Sequence, residues 1–190
     1  MTDPGLLREF EARFGSDPDP WGFETSDYEA AKREATIRAC RPLVGKHVLE
    51  LGSANGVLAA DLARSCAQLV AVDAVPAAAE RARERLRRAP HAMVVVGLIP
   101  HAVPVATYDV VVASEILYYL DDEAYASTLG RMETWLAAGG RVVAVHWRPP
   151  GTERPRSATD VHEDLARLPF LRLRETADTD DYLLSVLDRR

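Results

Sequence analysis

The sequence predicts an α/β fold: a doubly wound, mostly parallel seven-stranded sheet with a small N-terminal helical cap. Three observations predict it. Short strand-like runs alternate with helical segments from Lys46 to Trp147, and the run Tyr108–Ser114 is nearly all apolar, as a strand covered on both faces is. The first run, Lys46–Leu51, ends in the turn Gly52-Ser53-Ala54-Asn55-Gly56. The second ends in Asp73, 21 residues after Gly52, where a carboxylate can accept both hydroxyls of a ribose held across two strand ends.

The elements follow in order. Gly5–Phe14 carries Leu6, Leu7, Phe10 and Phe14 on one helical side. Asp17-Pro18-Asp19-Pro20-Trp21-Gly22 stops it, because two prolines and a glycine break regular structure. Ser26 and Glu29 form a capping-box pattern ahead of a helix over Tyr28–Ala39. Strand Lys46–Leu51 leads to helix Gly56–Ser65, with Asn55 available as its cap. Strand Leu69–Asp73 leads to helix Pro76–Arg88, with Pro76 in the first turn. His91–Val96 and Tyr108–Ser114 are the third and fourth strands. Asp121 or Asp122 caps a helix to Leu136, where Tyr125, Leu129, Met132 and Leu136 repeat at helical spacing. Gly139-Gly140 ends it, and Arg141–Trp147 is the fifth strand. A proline- and arginine-rich surface loop, Arg148–Ser157, precedes a short helix over Asp160–Leu168. Two further strands, Leu171–Glu175 and Tyr182–Leu187, are joined by the acidic turn Thr176–Asp181. Residues 1–190 are expected to form one domain, with 1–45 as cap and 46–190 as core.

The composition is that of an ordinary globular protein, 47% hydrophobic and 27% charged. A net charge of −6 argues against broad nucleic-acid binding, which needs a basic face. The five arginines within Arg81–Arg88 alternate with glutamate and read as a solvated helix face. Cys40 and Cys66 have no metal-ligand spacing and are expected as reduced, buried thiols. His47, His91 and His101 likewise show no ligand spacing. No signal peptide is visible and no apolar run approaches the ~20 residues of a membrane span. The expected location is the cytoplasm, without a membrane partner. Nothing in the sequence sets an oligomeric state.

The glycine turn lacks the G-x-G-x-x-G spacing of dinucleotide folds, and no phosphate-binding P-loop is present. A cofactor with a ribose but no pyrophosphate fits better. The residues Glu50-Leu51-Gly52-Ser53-Ala54-Asn55-Gly56, Asp73, Tyr108–Glu115 and Gly139-Gly140 together resemble the class I S-adenosylmethionine-dependent methyltransferases, which share a Rossmann-like methyltransferase fold. Within that superfamily, Asp19-Pro20-Trp21, Tyr28-Glu29, Lys32, Ser114–Leu120 and His146-Trp147-Arg148 are similar to the nodulation-type N-methyltransferases. Those act on the free amine of a glucosamine unit in a chitooligosaccharide.

The resemblance implies S-adenosyl-L-methionine as cofactor and assigns roles by position. Glu50 orients the loop or the methionine amine. Gly52, Ser53 and Gly56 line methionine and ribose. Asp73, with Ala74 beside it, binds ribose. Gly97, Leu98 and Ile99 flank adenine, with Leu98 packing on the ring. Ser114 and Glu115 lie beside the methyl group. Lys32 meets the cofactor carboxylate, and Trp21 joins the cofactor set. Two departures stand out: Ala54 replaces the usual middle glycine, and Gly97-Leu98-Ile99 lacks the acid that usually contacts the adenine amino group. The Ala54 methyl is compatible with the turn if its backbone angles are ordinary.

Methyl transfer from a sulfonium is an in-line displacement that requires an aligned, unprotonated nucleophile. His146 and Glu115, at adjacent strand ends, are the two candidates for the base. Glu115, Tyr118, Tyr119, His146, Trp147 and His162 are the candidate acceptor residues, since aromatic faces suit sugars and cationic amines. Trp135 and Tyr125 read as core. The expected acceptor is a small-molecule amine on an amino sugar or aminoglycoside-like compound. O-methyl transfer to a small molecule is the nearest alternative. An NAD-binding oxidoreductase and a non-catalytic cofactor-binding protein are the alternatives of other classes. The absence of an Asn/Asp-Pro-Pro-Tyr element after strand four argues against a DNA-amine methyltransferase.

Overall fold

The computed structural model describes residues 4–148 and 155–190. Helices α1 (Pro4–Ser16) and α2 (Asp27–Cys40) come first. Then follow β1 (His47–Leu51), α3 (Val57–Ala63), β2 (Gln68–Asp73), α4 (Pro76–Leu86), β3 (Ala92–Val96) and β4 (Tyr108–Ser114). A 3-10 turn (Leu117–Tyr119) precedes α5 (Asp122–Trp135), β5 (Leu136–Trp147), α6 (Ala158–Arg167), β6 (Leu171–Asp178) and β7 (Tyr182–Arg189). The strands form one sheet in the order β3-β2-β1-β4-β5-β7-β6. All pairs are parallel except those of β7 with β5 and β6. The strand order reverses between β1 and β4, which opens a crevice at their carboxyl ends.

Strand parity divides the core. Leu49, Leu51, Val111, Ala113, Val142, Ala144 and Leu187 pack on one face with the apolar sides of α5 and α6. Val48, Val110, Val112, Val143, Val145, Leu184 and Val186 pack on the other with Cys40, Leu43, Ala59 and Leu62. A side chain therefore reaches α2 and α3 or α5 and α6 according to whether its position is in phase with Val48 or Leu49. Tyr125 and Trp135 lie in the core.

Local chemistry sets the ends, and some differ from expectation. Ser26 accepts a hydrogen bond from the Glu29 N–H and caps α2, but the Glu29 carboxylate turns to Lys32 instead of completing a box. A reciprocal box does form at α6, between Ser157 and Asp160. Asn55 does not cap α3; its amide reaches Pro18 O and Asp19 Oδ1 and ties the glycine turn to the segment after α1. Helix α5 ends at Trp135, and Gly139-Gly140 lies inside the long β5, where a bulge shifts its register on β4. The β6–β7 strands extend further than expected and meet in a tighter turn. Cys66 is only half-buried. The loop expected over Arg148–Ser157 lies mostly outside the described residues.

Candidate active site

A cavity of about 640 Å³ lies at the carboxyl ends of β1, β2 and β4, beneath α1 and α2. Parity explains which strand residues reach it. Glu50, Asp73, Ser114 and Trp147 all fall in phase with the α2 and α3 face, and all four line the cavity. Five carboxyl groups (Glu9, Glu29, Glu50, Asp73, Glu115) and three cations (Arg13, Lys32, Arg33) line it.

The β1–β2 side is a backbone cradle. The N–H groups of Gly52 and Ser53 donate to Val72 O. Asp73 accepts from Ala54 N–H at 2.7 Å and from Val75 N–H at 2.8 Å. Its burial pushes the carboxyl upward in pKa while those N–H donors oppose the shift. Asp73 lines the cavity, and its carboxylate has acceptor capacity beyond these bonds. Gly52 has φ +74, and a Cβ there would meet Ile116 at 2.9 Å. Ala54 adopts φ 48, the left-handed region, and not the ordinary angles its methyl prefers; this costs about 1–2 kcal/mol. Glu50 Oε2 and Ser53 Oγ are buried without a hydrogen-bond partner. Burial, and then the Asp73 charge, hold the Glu50 carboxyl well above its usual range. Buried polar atoms without partners are costly, and here they point into a cavity that a ligand ammonium and hydroxyls can complete. These residues fit an amino-acid-bearing nucleoside such as S-adenosylmethionine.

The β4–β5 side is a side-chain cluster. Glu115 turns out of β4 at φ 57. Its Oε1 accepts from Lys32 Nζ at 2.9 Å; its Oε2 accepts from the Tyr118 hydroxyl and from Trp147 N–H. Lys32 also donates to Glu29 Oε1 at 2.9 Å and sits 5.0 Å from the Tyr28 ring centroid. Burial alone would lower the Lys32 pKa, but Glu115 and Glu29 outweigh it and raise the pKa. The Tyr28 hydroxyl is buried without a hydrogen-bond partner, and burial pushes its pKa up to about 12, with only Lys32 opposing. Phe10, Trp21 and Tyr119 make edge and tilted ring contacts along the α1 wall.

A family model described as Nodulation protein S (NodS) matches residues 6–144. The chain belongs to the NodS family. It is 30% identical over 176 residues to Nodulation protein S of Rhizobium tropici, a match covering 87% of this chain and 74% of that one. It is 30% identical over 129 residues to Nodulation protein S of Sinorhizobium fredii, covering 66% of this chain and 59% of that one. Its fold matches N-methyltransferase NodS from Bradyrhizobium japonicum WM9, solved with S-adenosyl-L-homocysteine, at a TM-score of 0.82 and 24% identity over 96% of this chain and 97% of the other. This NodS-family protein is an S-adenosylmethionine-dependent methyltransferase with the Rossmann-like fold of that class.

The expected site residues divide into two groups. Trp21, Lys32, Glu50, Gly52, Ser53, Asp73, Ala74, Ile99, Ser114, Glu115, Tyr118, Tyr119 and Trp147 all line the cavity. Gly56, Gly97, Leu98, His146 and His162 do not. Gly56 serves packing, not ligand approach: a Cβ there would meet Ala82 at 2.7 Å on α4. Ile99 lines the cavity and Leu98 does not; the Leu98 carbonyl accepts from Ala102 N–H. His146 cannot act as the base or touch an acceptor from where it stands. It is fully buried, and its parity sends it to the α6 face with Ala144. Its Nε2 accepts from Leu117 N–H at 3.3 Å, and its Nδ1 meets His162 Nε2 at 3.0 Å. His162 is buried behind it on α6, bonded to Ser185 Oγ at 2.7 Å, so it too stays away from the cavity. Both Glu115 oxygens already accept hydrogen bonds, which suits an anchored anion better than a base. Tyr28, Arg33 and Phe14 also line the cavity and were not among the expected residues. Only strand and helix phase, combined with the pairing register, could have pointed to them.

Proposed function

We propose that this enzyme transfers the methyl group of S-adenosylmethionine to the amine of an amino sugar or aminoglycoside-like small molecule, in the cytoplasm, with no nucleic-acid partner. The cluster Glu29–Lys32–Glu115 carries this reading. Two carboxylates share one ammonium within a cavity wall that also presents Tyr28 and Trp147. Such a wall holds excess negative charge beside aromatic faces and suits a cationic amine on a ring. The N-methyltransferase named in the Bradyrhizobium japonicum structure supports transfer to nitrogen.

The bound cofactor supplies an electrophilic methyl on a sulfonium. The residues that would hold it are Glu50 and Ser53 at the methionine end, Asp73 at the ribose and Ile99 with Ala74 at the base. Lys32, with one N–H beyond its two carboxylate bonds, and Arg33 are the cations available to the cofactor carboxylate. Glu115 and Glu29 draw the acceptor ammonium to the β4 end. The amine then loses its proton to water, and the buried Tyr28 oxygen accepts a hydrogen bond from a remaining N–H and orients the lone pair. With a pKa of about 12 this phenol stays protonated and acts as an orienting group. Alignment of this kind accounts for ~7–11 kcal/mol of barrier lowering at its upper range.

The test is incubation with S-adenosylmethionine and a panel of amino sugars, including glucosamine and chitooligosaccharides with one free amine, read by mass and NMR. A 14-Da gain on nitrogen supports the reading. A gain on oxygen, or none across the panel with bound cofactor, contradicts it.

A further inference from the structure

The buried histidine pair has a fixed proton direction. A backbone N–H can only donate, so Leu117 N–H requires an unprotonated Nε2 on His146. Neutral His146 then carries its proton on Nδ1 and donates it to His162 Nε2. His162 in turn carries its proton on Nδ1 and donates to Ser185 Oγ. The chain runs from the 3-10 turn through β5 and α6 to β7, and all three side chains are buried. Its inner end bears on the active site twice. Leu117 is held by its amide, and the His146 ring packs edge-on against Tyr118 at 4.9 Å. Tyr118 then donates its hydroxyl to Glu115, which faces the cavity.

We propose that His146, His162 and Ser185 are positioning residues for methyl transfer, a one-way hydrogen-bond chain that fixes the Leu117–Tyr119 turn and so places Tyr118 and Glu115 at the acceptor end of the cavity. The chain touches neither cofactor nor acceptor. It sets the acceptor side and leaves the β1–β2 cradle alone. Only the kinetic part of its test rests on the proposed acceptor class.

The first measurement is long-range ¹H–¹⁵N NMR of the full-length protein near neutral pH. Both rings are expected as Nδ1–H tautomers; an Nε2–H form of either overturns the proposal. The second compares variants, with a chitooligosaccharide bearing one free glucosamine amine as acceptor. Ser185→Ala is expected to lower kcat about tenfold and His162→Leu about a hundredfold, because small misplacements cost that much. S-adenosylhomocysteine affinity should stay within about twofold in both. His162→Gln can accept from His146 and donate to Ser185, and should keep kcat within about threefold of the parent. Unchanged kcat in Ser185→Ala, no rescue by His162→Gln, or cofactor affinity falling in step with kcat each overturns the proposal. If His162→Leu does not fold, Ser185→Ala and His162→Gln decide. If no acceptor is turned over, amide exchange at Leu117 decides: about tenfold faster exchange in Ser185→Ala supports the chain, and unchanged exchange refutes it.

Discussion

On the β1–β2 side of the cavity, backbone groups do most of the holding. Gly52, Ser53, Ala54 and Val75 each place an N–H on Val72 O or the Asp73 carboxylate. On the β4–β5 side, side chains hold one another: Tyr118 to Glu115 within one turn, and Lys32 to Glu115, His146 to His162 and His162 to Ser185 between separate elements. The first arrangement depends on a short contiguous turn and one acid. The second needs α2, β4, β5, α6 and β7 all in place. On the proposed reading, the ribose end of the cofactor rests on a local element, while the acceptor is addressed by a tertiary cluster whose Lys32 also faces the cofactor carboxylate. Lys32 apart, a change on one side should spare the other.

The largest expected effect is on the cofactor side. Asp73→Ala removes the acceptor of two backbone N–H groups and a ribose partner. It should lower stability by about 3 kcal/mol in urea denaturation, as unsatisfied buried donors cost 1–3 kcal/mol each. S-adenosylhomocysteine affinity should fall more than about a hundredfold.

A pH effect of similar size should come from the acceptor side. Burial lowers His162 from 6.5 to about 4. Above pH 6.5 neither the folded nor the unfolded state protonates it. Between 6.5 and about 4 only the unfolded state takes the proton, so stability falls with pH across that window, by about 3 kcal/mol in total. Urea midpoints of His162→Gln should lack this component, which would localise the loss to the β4–β5 cluster.

Glu50 should show opposite signs for stability and binding. Its carboxyl has a raised pKa in the fold, so the folded state loses stability as pH rises from the unfolded value of 4.5 through the raised one. Glu50→Gln should therefore stabilise the unliganded protein at neutral pH and reduce the thermal shift that S-adenosylhomocysteine produces. Destabilisation by Glu50→Gln would show that the acid is already satisfied without cofactor.

The two sides also differ in how far the sequence reveals them. Strand runs, Asp73 and the glycine turn are local patterns, and the sheet follows from them. Even the position of Glu50 follows from alternation along β1. The conformation of Ala54 does not, because an alanine at φ 48 contradicts its own preference while its N–H is held by Asp73. Its relief is the smallest effect expected here: Ala54→Gly should change stability by less than about 1 kcal/mol, since released strain and added chain entropy nearly cancel. The position of His146 was legible in principle. Ser114 pairs with Val145, so the next residue points to the opposite face. Strand-end proximity hides that one-residue phase. The Glu29–Lys32–Glu115 cluster was not legible, because its partners are joined only by the packing of α2 on the sheet.

The most direct test of this division is calorimetric titration of Glu115→Gln with S-adenosylhomocysteine beside Asp73→Ala. The structure predicts that Glu115→Gln keeps cofactor affinity within about threefold while methyl transfer falls at least about tenfold. If Glu115→Gln loses cofactor affinity as severely as Asp73→Ala, the two sides are one coupled site and the division is wrong.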